Sequence, residues 1–158
     1  MAEISEHVQR VFALIVRHLG RAFSLDELIL FTAGCRGKPL MFEQKPMPVA
    51  LSGYCLALQD VDLIVTRANL DDILTQAVKL HEISHLLLQH LPMLSDGPAT
   101  PTYAAFQRHE SAQTWVTRNL SYDDPQEQEA ELLATLLLDC ISRQGAAFSA
   151  LARDIYGW

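Results

Sequence analysis

Apolar residues recur at spacings of three and four over residues 3–19. Val8, Val11, Phe12, Ile15, Val16 and Leu19 line one side, which predicts an amphipathic helix stopped by Gly20. Ser24 with Glu27 three residues on is a capping-box pattern, and Leu25, Leu28, Ile29 and Phe31 give the helix it opens an apolar side. Gly34 and Gly37 are expected to end it, so residues 1–35 read as two N-terminal helices. The period changes at Pro39. Leu40-Met41-Phe42 reads as a short strand broken by Pro46 and Pro48. Gly53 to Leu58 and Leu63 to Thr66 read as a β-hairpin, with Gln59-Asp60-Val61-Asp62 as its polar turn. Residues 39–66 are thus a small sheet. A helix over residues 69–91 follows, capped by Asn69 and stopped before Pro92. Its stripe of Ile73, Ala77, Leu80, Ile83 and Leu87 is expected to be the buried back face.

After a Pro- and Gly-containing loop at 92–101, residues 102–120 have weak helical character around Phe106 and Trp115. Gln126 to Ser142, in a segment spanning 126–143, is a strongly apolar helix, and Phe148 to Tyr156 adds a short one. Strands in one block with helices on both sides predict an α+β fold, one domain over residues 1–158. The 158 residues suffice for one domain with its own core.

Composition narrows the function. With 49% hydrophobic and 20% charged residues the chain reads as a globular protein. A net charge of -7 and the lack of a basic run argue against direct nucleic-acid binding. Cys35, Cys55 and Cys140 are odd in number and far apart, so neither a disulfide framework nor a cysteine metal site is expected. The N-terminus lacks an apolar signal core and no run is long enough to span a membrane, so a cytoplasmic location is expected.

The chemistry concentrates in His81-Glu82-Ile83-Ser84-His85, an H-E-x-x-H pattern. At about 100° per residue, His81 and His85 lie one above the other on a helix and both imidazoles can reach one ion. Glu82 projects to the side, where it can take a proton from water at the ion rather than bind the ion itself. A zinc hydrolase also needs a third protein ligand and an open fourth position. His90 falls roughly 180° around a continued helix, without a glycine to swing it back, and reads as a surface or last-turn residue. His109-Glu110 is another option. The run Glu127-Gln128-Glu129-Ala130-Glu131 is the better one, because Glu127 and Glu131 share a helix face while Glu129 points nearly opposite. The same acids equally suit the N-terminal end of a helix dipole.

HEISHLLLQH followed by EQEAELLATLLL, with GYCLALQDVDLIVTR upstream, resembles the ImmA/IrrE family of metallopeptidases. The resemblance spans roughly residues 39–140. It implies a zincin-like minimal metallopeptidase, with a small antiparallel or mixed sheet packed on helices that include the zinc helix. It implies Zn2+ held by His81, His85 and Glu127, Glu82 as general base, and Glu131 holding a ligand histidine from behind. Three positions depart from the family pattern: Glu131 for a shorter Asp or Asn, Leu133 for Phe, and Asp139 for a proline. The longer Glu131 leaves open which carboxylate meets the metal. Family members act on helix-turn-helix repressors or are labelled toxin components of toxin–antitoxin pairs. The resemblance therefore implies a zinc endopeptidase acting on a partner protein. The rival expectation is a catalytically silent zinc-binding interaction module. Tyr54, Tyr103, His109 and Tyr122 are candidate donors to the developing oxyanion.

Overall fold

The computed structural model describes residues 5–90, 101–108 and 123–157. Helix α1 (Glu6–Leu19) is capped by Ser5, whose Oγ accepts from the Val8 N–H, and it ends where Gly20 turns at φ 80°. Its inward stripe is Val8 and Ile15, both fully buried. Helix α2 (Leu25–Arg36) opens with the Ser24–Glu27 capping box. It continues through Gly34, contrary to expectation, and stops at Gly37 in the left-handed region at φ 75°. One glycine ends the helix because only the second stands where the chain has to turn.

Strands β1 (Leu40–Lys45), β2 (Gly53–Ala57) and β3 (Asp62–Arg67) form a mixed sheet in the order β1-β3-β2. β2 and β3 are the expected antiparallel hairpin, and β1 runs parallel to β3. As the central strand, β3 is buried on both faces. Ile64 packs with Cys55 toward the helices, while Leu63 and Val65 pack with Tyr54 and Leu56 on the other side.

Asp62 is not a turn residue, as its polarity suggested. It begins β3, is 1% exposed, and takes both Arg36 Nε (2.8 Å) and a second Arg36 nitrogen (3.1 Å), with Lys38 Nζ 3.5 Å away. This bidentate pair clips the end of α2 to the sheet. Arg36 is partly exposed but Asp62 is buried, so losing Arg36 would leave a buried carboxylate without its bidentate partner.

Helix α3 (Asp72–Leu87) is capped by Asp71, whose carboxylate accepts the Leu74 N–H at 2.7 Å. Asn69, the expected cap, instead forms the turn after β3 at φ 68°. The helix stops at Leu87, short of the expected Leu91, which lies outside the described residues. The expected apolar back face holds only in its second half. Leu80 and Ile83 are buried, but Ile73 is 81% exposed and Ala77 is also exposed. α3 packs against α2, α5, β2 and β3, and its continuous buried run is Glu82–Leu86.

Helix α4 (Tyr103–Arg108) closes the sheet's other face with Phe106. Trp115, the other centre of the weak helical stretch, lies outside the described residues. Helix α5 (Asp124–Tyr156) opens with a capping box between Asp123 and Gln126 and runs 33 residues. The two helices expected at 126–143 and 148–156 are therefore one. Gly145 is tolerated inside it, with open space around its Cα. The described chain is α+β, with five helices and one three-stranded mixed sheet.

Candidate metal centre

Helices α3 and α5 pack against each other, and their contact brings the sequence-distant acids to the histidine pair. His81 and His85 stand one turn apart with their Nε2 atoms 3.2 Å from each other and their rings nearly perpendicular. Glu127, in the first turn of α5, reaches both: Oε1 is 2.9 Å from His85 Nε2 and Oε2 is 3.3 Å from His81 Nε2. The three side chains offer ligand atoms within 4.8 Å of one another and can hold a metal ion. Zinc–nitrogen bonds of 2.0–2.1 Å at tetrahedral angles separate two ligand atoms by about 3.3 Å. The observed spacings fit that requirement.

The carboxylates divide as their helix positions dictate. Glu131 shares the Glu127 face, and its Oε2 lies 3.0 Å from His81 Nδ1. Glu129 faces the other way. Its Oε1 is 3.1 Å from His90 Nε2, and its Oε2 accepts the Ser5 hydroxyl at 2.7 Å.

His90 corrects the sequence reading. It is neither on the surface nor half a turn away. Only 5% of it is exposed, and its Nδ1 lies 3.2 Å from His85 Nδ1. No glycine is needed for the return. Gln89 takes the left-handed conformation at φ 59°, and the His90 N–H donates to the His85 carbonyl at 2.9 Å. The N-terminal turn of α1 joins this end too, where the His7 Nε2–H donates to the Leu88 carbonyl at 2.8 Å. Glu129 and Ser5 were missed for a plain reason. Their partners come from segments up to 124 residues apart, and no local spacing announces them.

Electrostatics separate Glu82 from His81, His85 and Glu127. It is 5% exposed, hydrogen-bonded to Cys55 on β2, and its Oε2 is buried without a hydrogen-bond partner among the described residues. Burial raises its pKa from the usual carboxylate value to about 7. The charge of His81 and the Cys55 bond pull it partly back down, while Glu127 pushes it further up. His85 is wholly buried, and this lowers its pKa to about 3, helped by the charges of His81 and His90. It is therefore a neutral imidazole, the form that donates a lone pair to a metal.

Beside His81 lies a cavity of about 320 Å³, walled by Leu74, Val78, Ala134 and Leu138, with Glu127 and Glu131 at its polar end. Ala77, expected in the buried back face of α3, lines it instead. Of the expected oxyanion donors, Tyr54 and Tyr103 belong to the cluster on the far face of the sheet, away from α3. Tyr122 and His109, with Glu110, lie outside the described residues. No helix among the described residues is long and apolar enough to cross a membrane. No protein-family model, curated protein or solved structure matches this chain.

Proposed function

We propose that the chain is a zinc-dependent endopeptidase of zincin-like architecture, acting on a partner protein such as a helix-turn-helix repressor. The observation that carries the reading is the convergence of His81, His85 and Glu127 from two helices, with Glu82 buried beside them. Two imidazoles and one carboxylate are the protein donor set of a catalytic zinc site with an open fourth position. The repressor as substrate comes from the resemblance to the ImmA/IrrE metallopeptidases.

When bound, the ion lowers the pKa of water to about 7 and polarises the carbonyl to be attacked. The remaining work falls to the chain. Glu82 accepts the proton of the attacking water and returns it to the leaving amine, and a carboxyl with a pKa of about 7 suits both directions. Glu131 accepts from the His81 Nδ1–H and so turns its Nε2 toward the centre. The cavity beside His81 accepts an apolar side chain of the substrate. β2, an edge strand of the described sheet and the strand that holds Glu82 through Cys55, offers its backbone to an extended peptide.

The burial of Glu82 supports a second reading, a metal-holding interaction module or toxin component without turnover, because a general base has to meet water. The wild type and one variant together separate them. Glu82→Gln is expected to keep one metal ion per chain and to lose all cleavage of a helix-turn-helix repressor that the wild type cleaves. If the wild type with its metal forms a stable complex with a helix-turn-helix repressor and yields no fragments, the module reading replaces the peptidase.

A further inference from the structure

The ring nitrogens behind His85 imply a function for residues that the metal reading leaves unused. Each neutral histidine carries one N–H and one bare nitrogen. His85 Nε2 faces His81 and Glu127, so as a metal ligand it presents its lone pair there, and its proton sits on Nδ1. That Nδ1 is 3.2 Å from His90 Nδ1. Two bare nitrogens at this distance would repel, and two N–H groups would collide. With the His85 proton on Nδ1, His90 Nδ1 is therefore the acceptor and the His90 proton is on Nε2. There it meets Glu129 Oε1 at 3.1 Å. Glu129 is held in turn by the Ser5 hydroxyl, donating to Oε2 at 2.7 Å.

We propose that His90 is a positioning residue for the metal centre: it passes hydrogen bonds one way from His85 to Glu129, a carboxylate that the Ser5 hydroxyl holds from its other side, and so fixes His85 with Nε2 bare and aimed at the ion. The inference rests on the metal-centre reading above. Each link accepts from the one before, and the chain ends at a carboxylate, the strongest acceptor available. Burying polar groups at a helix end is costly compared with an apolar filling, and this set is satisfied in one direction only. The left-handed Gln89 brings His90 into place, a conformation that a non-glycine residue adopts against a local cost. Helix α1, outside the stretch that resembles metallopeptidases, thereby becomes part of the support of the centre through its cap residue.

The test uses the full chain and zinc, with affinity measured by chelator competition and protonation by imidazole 15N spectra of the zinc-loaded protein. His90 signals are assigned by comparison with His90→Gln. Wild type is expected to bind one ion, with the His90 proton on Nε2 and its Nδ1 bare. His90→Phe is expected to weaken zinc affinity about 10–100-fold. His90→Gln should restore most of that loss, because its carbonyl accepts from His85 Nδ1–H and its amide donates to Glu129. A merely structural role for His90 would lower the unfolding midpoint in chelator and leave affinity unchanged in the folded variant, and that result overturns the proposal. So does a His90 proton found on Nδ1 in the wild type, a measurement that stands even if His90→Phe does not fold. A wild-type chain that takes up no zinc removes the metal centre itself, and the relay with it, and is readily told from a wild type that binds while its variants bind equally well.

Discussion

His81 and His85 carry the same side chain one helical turn apart and face the same carboxylate, yet their surroundings are opposite. The His81 side chain is 21% exposed and its far nitrogen meets Glu131, itself 73% exposed. The His85 side chain is wholly buried, and its far nitrogen meets His90, whose side chain is 6% exposed. The centre has a wet arm and a dry arm. On the wet arm water can replace any partner that is lost, and the charge of Glu131 is screened. On the dry arm every lost partner leaves an unpaired group in the core. A motif that is symmetric in sequence is thus unequal in the fold.

The largest effect follows from removing each of the two histidines in turn. His85→Ala opens a cavity and orphans His90, so without metal it should destabilise the fold by about 2–4 kcal/mol. His81→Ala, at the surface, should cost about 0.5 kcal/mol or less. Both should lose metal affinity on the order of a hundredfold or more. Urea unfolding in chelator reads the first pair and metal competition the second. Equal stability of the two apo variants would remove the distinction between the arms.

Glu82 lies on the dry arm and gives it a pH signature in the metal-free protein. Its folded pKa is raised from 4.5 to about 7. Below about 4.5 both states hold the proton and the contribution to stability is complete. Between 4.5 and 7 the unfolded chain releases the proton while the folded chain keeps it, so stability falls as pH rises, then levels off. Glu82→Gln cannot titrate. The stability of wild type minus that of Glu82→Gln should therefore fall on the order of 2–3 kcal/mol across this window. His85, whose pKa is lowered to about 3, slopes the opposite way, its contribution lost as pH falls from 6.5 toward 3, but it cancels in the difference. A flat difference would mean that Glu82 is hydrated and its side of the helix is not dry.

Much of this site is written locally, and the part that is not explains where sequence reading stops. Four-residue spacing put His81 above His85 and Glu127 beside Glu131, because a helix repeats its faces at that distance. Caps at Ser24 and Gly20, and the β2–β3 hairpin, follow from equally local chemistry. His90 was hidden because the same helical arithmetic was continued past Leu87, where the chain turns through Gln89 instead. The parallel β1, the burial of Asp62 and the Ser5–Glu129 bond depend on which segments meet across the chain. Exposure of Ile73 and Ala77 has the same origin. The apolar period was present, but among the described residues Ile73 and Ala77 are left exposed.

The sheet approaches α3 closely at Gly53, next to Ser52 and opposite Val78, which both line the cavity beside His81. A Cβ there would lie 2.5 Å from Val78 Cγ1 on α3 and 2.8 Å from the Val65 carbonyl oxygen. Gly53→Ala should cost about 1–3 kcal/mol by forcing β2 and α3 apart. Adding Val78→Ala relieves the contact with α3 but not that with the backbone of β3, so thermal unfolding of the double variant should show partial recovery. Full recovery would make the α3 contact the whole constraint, and no recovery would place it in the sheet alone.

The smallest effect belongs to Glu131→Gln, and it tests the wet arm directly. The glutamine carbonyl still accepts from the His81 Nδ1–H, and the charge it removes is 73% exposed and screened. Stability should change by about 0.5 kcal/mol or less, and zinc affinity by about threefold at most, with the difference shrinking further as salt is added. Calorimetric titration at low and high salt measures the affinity, and urea unfolding in chelator the stability. A loss as large as that expected for His90→Phe would show that exposure does not decide the strength of these supports. A far larger one, comparable to removing a histidine ligand, would make Glu131 rather than Glu127 the third ligand, since only a residue bonded to the ion gives so much to its binding.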